Sequence, residues 1–335
     1  MKSLQQSRQE KFLKYDRIAE RTLLNYELGN DVVARLLNYS ENVVYRVDSP
    51  HQRYILRIGK PAYHSREEIE SELIWMDAIR QWSDIEIPDV VRSRNGCFIQ
   101  KLVEEDTDDI FYCVLFTFLS GESLEERIQD LPNYFEGLGE ITAKLHNFNT
   151  SPPMQHLVLK RPVWNFDTTL GTMPNWGRWQ DGLGITACRY ELFQKTVSVI
   201  QTRLENFGEN GENHGLIHAD LRTVNLLAEG SKLRVIDFDD CGYSWYLYDL
   251  AASLSFIEHK DYVPELIDLW LKGYRKNRYL SSEEEAEIPT FIMLRRLLLL
   301  GWVGSHSDTE TAQRMGLSFT ERTEKMATSY LSIIS

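Results

Sequence analysis

Between residues 30 and 118, apolar positions alternate along short β-branched and aromatic runs. VVYRV (residues 43–47) and RYILRI (53–58) stand on either side of Pro50, the pattern of a β-hairpin. VVRS (90–93) and CFIQKLV (97–103) flank Arg94, Asn95 and Gly96, and Asn-Gly between apolar runs predicts a second tight turn. YCVLFTFL (112–119) predicts a buried strand. Between the two hairpins, REEIESELIWMDAIRQW (66–82) puts Ile69, Leu73, Met76 and Ile79 on one stripe of a helix, which can dock on the sheet.

Beyond Gly121 the period lengthens, and helices are predicted over 122–131, 134–148, 186–207, 247–259, 263–278, 283–303 and 309–334, with two very short strands near 216–237. The change near Ser120 divides the chain into a strand-rich lobe, 1–118, with a helical extension over 1–29, and a helix-rich lobe, 119–335. A cleft between the lobes is expected to hold the chemistry. The most apolar stretch, FIMLRRLLLLGWVG (291–304), is broken by Arg295 and Arg296 and too short to span a bilayer, so it predicts a buried helix.

Composition narrows the classes. In 335 residues, 42% are hydrophobic and 26% charged, which fits a folded globular protein and not a disordered or low-complexity chain. Thirty-seven basic against 50 acidic side chains leave a net charge of −13, so nucleic acid and anionic membranes are disfavoured partners. Cys97, Cys113, Cys188 and Cys241 form no CxxC pair, which fits reduced thiols. The N-terminal MKSLQQSRQEKFLKYD lacks a secretory apolar core, and a cytoplasmic location is expected. The acidic run EEDTDD (104–109) reads as a solvated turn.

The densest polar signal is HGLIHADLRTVNLLAEGSKLRVIDFDD (214–240). NLL and LRVIDF flank a turn-like AEGSK, so a hairpin centred near Gly230 and Ser231 places Asn225 almost opposite Asp237, with paired residues roughly 5 Å apart. A carboxylate beside an amide oxygen suits a hard cation such as Mg²⁺, which keeps positions for water and phosphate. Asp220, five residues before Asn225, is placed to face an acceptor hydroxyl, where a base belongs.

HADLRTVN (218–225) followed by VIDFD resembles the HxDxxxxN motif and metal-binding Asp of the aminoglycoside phosphotransferase and choline kinase superfamily. IDFDD, YLYDLA and the RPVW and WGRW segments are similar to homoserine kinase type II, hydroxylysine kinase and stress-response kinase relatives. The resemblance covers roughly residues 30–330. It implies an α+β, bilobal protein-kinase-like fold with a small antiparallel-sheet lobe carrying one helix and a larger, mostly helical lobe. It also implies ATP and Mg²⁺ as cofactors, Asp220 as the base, Asn225 and Asp237 as metal ligands, and a structural His218.

In the first lobe the resemblance implies that Ser40 and Asn42, at the tip of NYSENVVYRV, cover the phosphates without a Gly-rich loop. Arg57 stands where the family has a phosphate-binding Lys, Glu72 is its carboxylate partner, and Phe116, Thr117 and Phe118 form the hinge that pairs with adenine. Arginine keeps the charge but offers a planar fork in place of a point charge. His146 and Asp249 read as structural, Asp249 anchoring the loop of Asp237.

For the acceptor, Asp239, Asp240, Trp245 and Tyr246 follow the metal Asp, while Trp164, Trp176, Arg178 and Trp179 cluster in a loop-like stretch. Acidic groups suit an aminated acceptor and Arg178 a carboxylate, which together point to an amino acid or amino alcohol. Three functions stand side by side: a small-molecule kinase, a Ser/Thr protein kinase of the stress-response type, and a nucleotide-binding pseudokinase. The oligomeric state is open.

Overall fold

The computed structural model describes residues 4–104, 107–152, 154 and 157–334. The chain forms two compact units. One comprises the chain up to Gln81 with Ile87–Ser120, the other Trp82–Glu86 with everything from Gly121. Residues 82–86, expected in the first lobe, group with the second unit, where Glu86 accepts from Val235 N–H (3.2 Å) and pairs with Arg234.

In the first unit, α1 (Leu4–Leu23) precedes β1 (Val33–Tyr39), β2 (Asn42–Asp48), β3 (Arg53–Gly59), α2 (Arg66–Trp82), β4 (Ile99–Val103) and β5 (Ile110–Thr117). The strands form one antiparallel sheet in the order β1-β2-β3-β5-β4. The Pro50 hairpin is present, with Asp48 opposite Arg53 and Val43 opposite Ile58. Strand alternation divides the side chains between the two faces. Val43, Tyr45, Val47, Leu56, Ile58, Cys113 and Leu115 share a core with Tyr15, Ile18 and Ala19 of α1. The helical extension is therefore a layer of the unit, fastened by Tyr45 Oη donating to Asp16 (2.8 Å) and by Lys14 paired with Asp109.

One local expectation changes. VVRS contributes only a bridge between Val90 and Phe116. Its continuation is drawn toward the end of α1, where Arg94 N–H donates to Asn25 O (2.8 Å), while Ser93 N–H closes a turn on Cys97 O with Gly96 at φ +80°. The acidic run closes by Glu104 N–H to Asp109 O (3.0 Å), and its residues 105 and 106 lie outside the described residues.

The second unit opens with β6 (Glu122–Ser123) and a kinked 3-10 turn, Leu124–Asp130, where a helix had been expected. Then come α3 (Pro132–Phe148), α4 (Phe166–Thr169), α5 (Ala187–Phe207), β7 (His214–Ile217), β8 (Leu226–Glu229), β9 (Lys232–Val235), β10 (Gly242–Trp245), α6 (Leu247–Ser253), α7 (Val263–Tyr274), α8 (Ser282–Glu285), α9 (Ile288–Ser305) and α10 (Glu310–Ile334). β6, β8 and β9 form one small sheet, and β7 with β10 another. The expected helix over 283–303 divides because Pro289 starts α9 anew after the Ser281–Glu284 capping box of α8. α9 is buried over most of its length.

Helices α3 and α7 cross where glycines remove side-chain bulk. A Cβ on Gly139 would stand 2.1 Å from Trp270 O, and one on Gly273 would stand 1.8 Å from Glu136 O. Gly273→Ala must push the helices apart, and we expect a loss of about 3 kcal/mol, the upper end for overpacking. Thermal unfolding checks this; an unchanged melting temperature would mean that the helices part freely.

Candidate active site

Asp220 lies in the loop between β7 and β8, and the backbone there is set by buried groups. Ala219 is held at φ +65°, a conformation costly for a residue with a Cβ. Its N–H donates to Asp249 Oδ1 (2.7 Å), and His218 N–H donates to Asp249 Oδ2 (3.1 Å). Asp249, in the first turn of α6, also meets His146 Nε2 (3.1 Å), while His146 Nδ1 meets Tyr274 Oη (2.8 Å). Burial lowers the His146 pKa against the pull of Asp249. The ring is therefore neutral, Nε2 donates to Asp249, and Tyr274 donates to Nδ1. The expectation that Asp249 fixes the loop of Asp237 is corrected: its bonds go to the loop of Asp220.

The Asp220 carboxylate is surrounded by donors. Arg222 Nε reaches both oxygens (2.8 and 3.0 Å), Arg295 Nη2 reaches Oδ1 (2.7 Å) and Asn225 Nδ2 reaches Oδ2 (2.8 Å). Burial pushes its pKa up, but the guanidinium groups of Arg222 and Arg295 outweigh burial and hold it below the ordinary carboxylate value. Asp220 is thus ionised and oriented, able to accept a hydrogen bond from a hydroxyl.

The hairpin of β8 and β9 turns at Gly230 and Ser231, with Glu229 opposite Lys232 and Leu226 opposite Val235. Continued outward, this register sets Asn225 against Ile236, whose N–H donates to Asn225 O (3.0 Å), so Asp237 lies one residue beyond the partner expected for Asn225. Asp237 is exposed at φ +64°. Asn225 gives its amide N–H₂ to Asp220 O (2.9 Å) and Oδ2, which turns its carbonyl oxygen away from Asp220. The Asn225 amide oxygen and the exposed Asp237 carboxylate are both hard oxygen donors, and these two residues could hold an ion such as Mg²⁺.

Arg57 and Glu72 form a bidentate pair in the first unit (2.7 and 2.6 Å), both buried, with Arg57 5.2 Å from the Phe116 ring. Ser40 and Asn42 bracket the β1–β2 turn, Ser40 N–H donating to Asn42 O (2.9 Å). The backbone of the expected hinge is engaged within the first unit. Thr117 N–H is given to Asp89 O (2.9 Å), Phe118 N–H to Arg53 O (3.2 Å), and Phe116 pairs with Ile55 and bridges Val90. Leu119 is the next residue, and its backbone makes no hydrogen bond among the described residues.

A model of the APH phosphotransferase enzyme family matches residues 33–285. The chain belongs to the APH phosphotransferase family. This phosphotransferase has the protein-kinase-like fold. It is 24% identical to amicoumacin kinase of Bacillus subtilis (strain 168) over 310 residues, 90% of this chain and 88% of that one. Among solved structures, it is similar to a microcompartment-associated aminopropanol kinase (TM-score 0.85, 38% identity, 94% of this chain and 97% of that one). It also shares its fold with an amicoumacin kinase in complex with AMP-PNP and Ca²⁺ (TM-score 0.74, 22% identity, 94% and 96% of the two chains).

The acceptor residues expected for the phosphotransferase separate into two groups. Trp245 is core: its Nε1 donates to Gly208 O (2.8 Å) and its ring meets Phe291 and His214. Trp179 packs on Tyr190 and Phe193, and Arg178 is exposed beside Asp181. These three are not brought to Asp220. Trp164 and Trp176 are: Trp176 lies under the Arg295 guanidinium (4.8 Å), Trp164 touches Trp176, and Tyr248 Oη accepts from Arg295 Nη1 (2.9 Å). Asp239 and Asp240 are held by their carbonyls, which accept from Arg161 and from Trp164 Nε1. Arg295 was missed as a site residue although the signal was there, since a buried charge in an apolar helix requires a partner.

Proposed function

We propose that the protein is a cytoplasmic, ATP- and Mg²⁺-dependent kinase that transfers the γ-phosphoryl group to the hydroxyl of a short amino alcohol. The observation that carries this reading is the bond from Asn225 Nδ2 to Asp220 Oδ2. One side chain ties the carboxylate that receives the hydroxyl proton to the amide oxygen that holds the metal. Asn225 and Asp237 would hold the Mg²⁺, which would supply neutralisation of the phosphate charge. Within the first unit, Arg57, braced by Glu72, is assigned to phosphate oxygens, Ser40 and Asn42 to the phosphate-covering turn, and the segment from Phe116 to Leu119 to the adenine.

The acceptor class follows from chemistry near Asp220. Trp164 Nε1 donates to Asp240 O (2.9 Å), and Trp164 touches Trp176, which lies against the Arg295 bonded to Asp220; a carboxylate such as that of Asp240 suits the ammonium of an aminated acceptor. The 38%-identical aminopropanol kinase supports the same class. The segment between Asp237 and Asp249 is occupied by β10, paired with β7, and by the start of α6, which favours a small acceptor over a protein substrate.

The purified protein with Mg-ATP and a panel of 1-amino-2-propanol, ethanolamine, choline, homoserine, hydroxylysine and an aminoglycoside should release ADP fastest with the short amino alcohols. A flat response across the panel would overturn the reading.

A further inference from the structure

Behind the loop of Asp220 stands a buried polar chain whose hydrogen-bonding side-chain atoms are all matched. Asp249 Oδ1 accepts from Ala219 N–H (2.7 Å), and Oδ2 accepts from both His218 N–H and His146 Nε2 (3.1 Å each). A carboxylate that accepts on both oxygens requires the hydrogen of His146 on Nε2, and a neutral ring then leaves a lone pair on Nδ1. Tyr274 Oη, 2.8 Å away, supplies the donor, and that hydroxyl makes no other hydrogen bond among the described residues.

The ring is fixed in place as well as in tautomer. Tyr246 stacks on it with ring centroids 4.4 Å apart, Tyr274 meets its edge (5.6 Å), and the Arg278 guanidinium lies 4.5 Å from the Tyr246 ring. Burial, with the Arg278 charge added to it, keeps the second proton off the ring against the pull of Asp249. His146 is in the last turn of α3 and Tyr274 ends α7, so the hold on Asp249 comes from the two helices that cross at Gly139 and Gly273. Without the third donor, a carboxylate turning about its Cβ–Cγ bond can serve either loop amide alone; with it, one setting serves all three. The left-handed Ala219 depends on that setting, because the bond from its N–H offsets part of the backbone cost.

We propose that His146 is a positioning residue for Asp220: braced by Tyr274, its Nε2–H sets the Asp249 carboxylate, which holds the backbone turn that presents Asp220 to the acceptor hydroxyl. This rests on the reading of Asp220 as the base. His146 touches no reactant and exchanges no proton. Its effect is on where the Asp220 carboxylate stands, and small displacements of a reacting group are costly to rate. Loss of the His146 donor therefore slows transfer and frees the Ala219 amide together, two results that a ring merely filling space would not couple.

Three variants of the full chain test this, by steady-state kcat with Mg-ATP and the fastest acceptor of the panel and by hydrogen exchange at the Ala219 amide. His146→Leu, which keeps bulk and removes the donor, should lose about tenfold in kcat and exchange Ala219 about tenfold faster, the equivalent of one buried hydrogen bond. His146→Gln, which restores an N–H toward Asp249, should recover at least about threefold in both readouts. Tyr274→Phe, which keeps the ring against Trp270, should move both in the same direction as His146→Leu and takes its place if that variant fails to fold. If either readout stays at its wild-type value in His146→Leu, or in Tyr274→Phe standing in for it, or if the Leu and Gln variants lose equally, the positioning role is overturned. Asp220→Asn separates the two layers: wild-type transfer in that variant would remove the base itself, whereas lost transfer there with wild-type exchange in His146→Leu removes only the positioning role.

Discussion

Asp220→Asn should leave Mg-nucleotide binding near wild type while slowing turnover by about two to four orders of magnitude, the range for loss of a positioned acid or base. The substitution keeps shape and one acceptor oxygen. It removes the charge and places an N–H₂ where Asn225 or an arginine now donates. Asp237→Ala should behave differently, weakening Mg-nucleotide binding itself, because that carboxylate stands outside the Asp220 cluster, exposed one residue past the β9 hairpin register. Steady-state kcat together with calorimetry on a non-hydrolysable nucleotide separates them. Two variants with the same losses in both measurements would undo the assignment of a base and a metal ligand.

Arg295→Met should cost about 3 to 5 kcal/mol of stability, because one partner of a buried ion pair is removed and the other stays behind. Arg295 satisfies Asp220, Tyr248 and Ser255 at once, and Met fills much of its volume without a donor. Turnover should fall as well, since Asp220 loses the donor that fixes Oδ1. Denaturant unfolding of the single variants and of the double variant with Asp220→Asn gives the coupling between them. Additive losses would mean that the two side chains stabilise the unit independently and that the network is incidental.

Much of this was legible from the chain. The alternation in β2 and β3 and the Pro50 turn yielded the right hairpin, and the spacing from His218 to Asn225 pointed to the polar cluster. The failures have physical causes. A two-residue turn at Gly230 and Ser231 fixes the β8–β9 pairing, and a turn read as the five residues AEGSK leaves that register one residue uncertain. The helix expected to run to residue 259 stops at Ser253 because Ser255 and Glu258 are committed to Arg295 and Arg296, with Phe256 left-handed between them. Trp179 and Trp245 have the composition of a pocket wall, yet only long-range packing decides which tryptophans face a cavity and which fill the core. Arg222 and Arg295 acquire meaning only through partners 2 and 75 residues away in the chain.

The adjacent arginines of α9 carry one further implication. Neighbouring helix positions point about 100° apart, so Arg295 is directed to Asp220 while Arg296 is directed to Glu258, Thr323 and Phe319 O. A twist of α9 about its own axis breaks both sets together, which makes the helix a torsionally locked shaft with Asp220 at one spoke and α10 at the other. Substitutions far along α10, such as at Thr323, can then alter catalysis without touching any reactant, and screens for improved or altered turnover in this enzyme have reason to include that remote face.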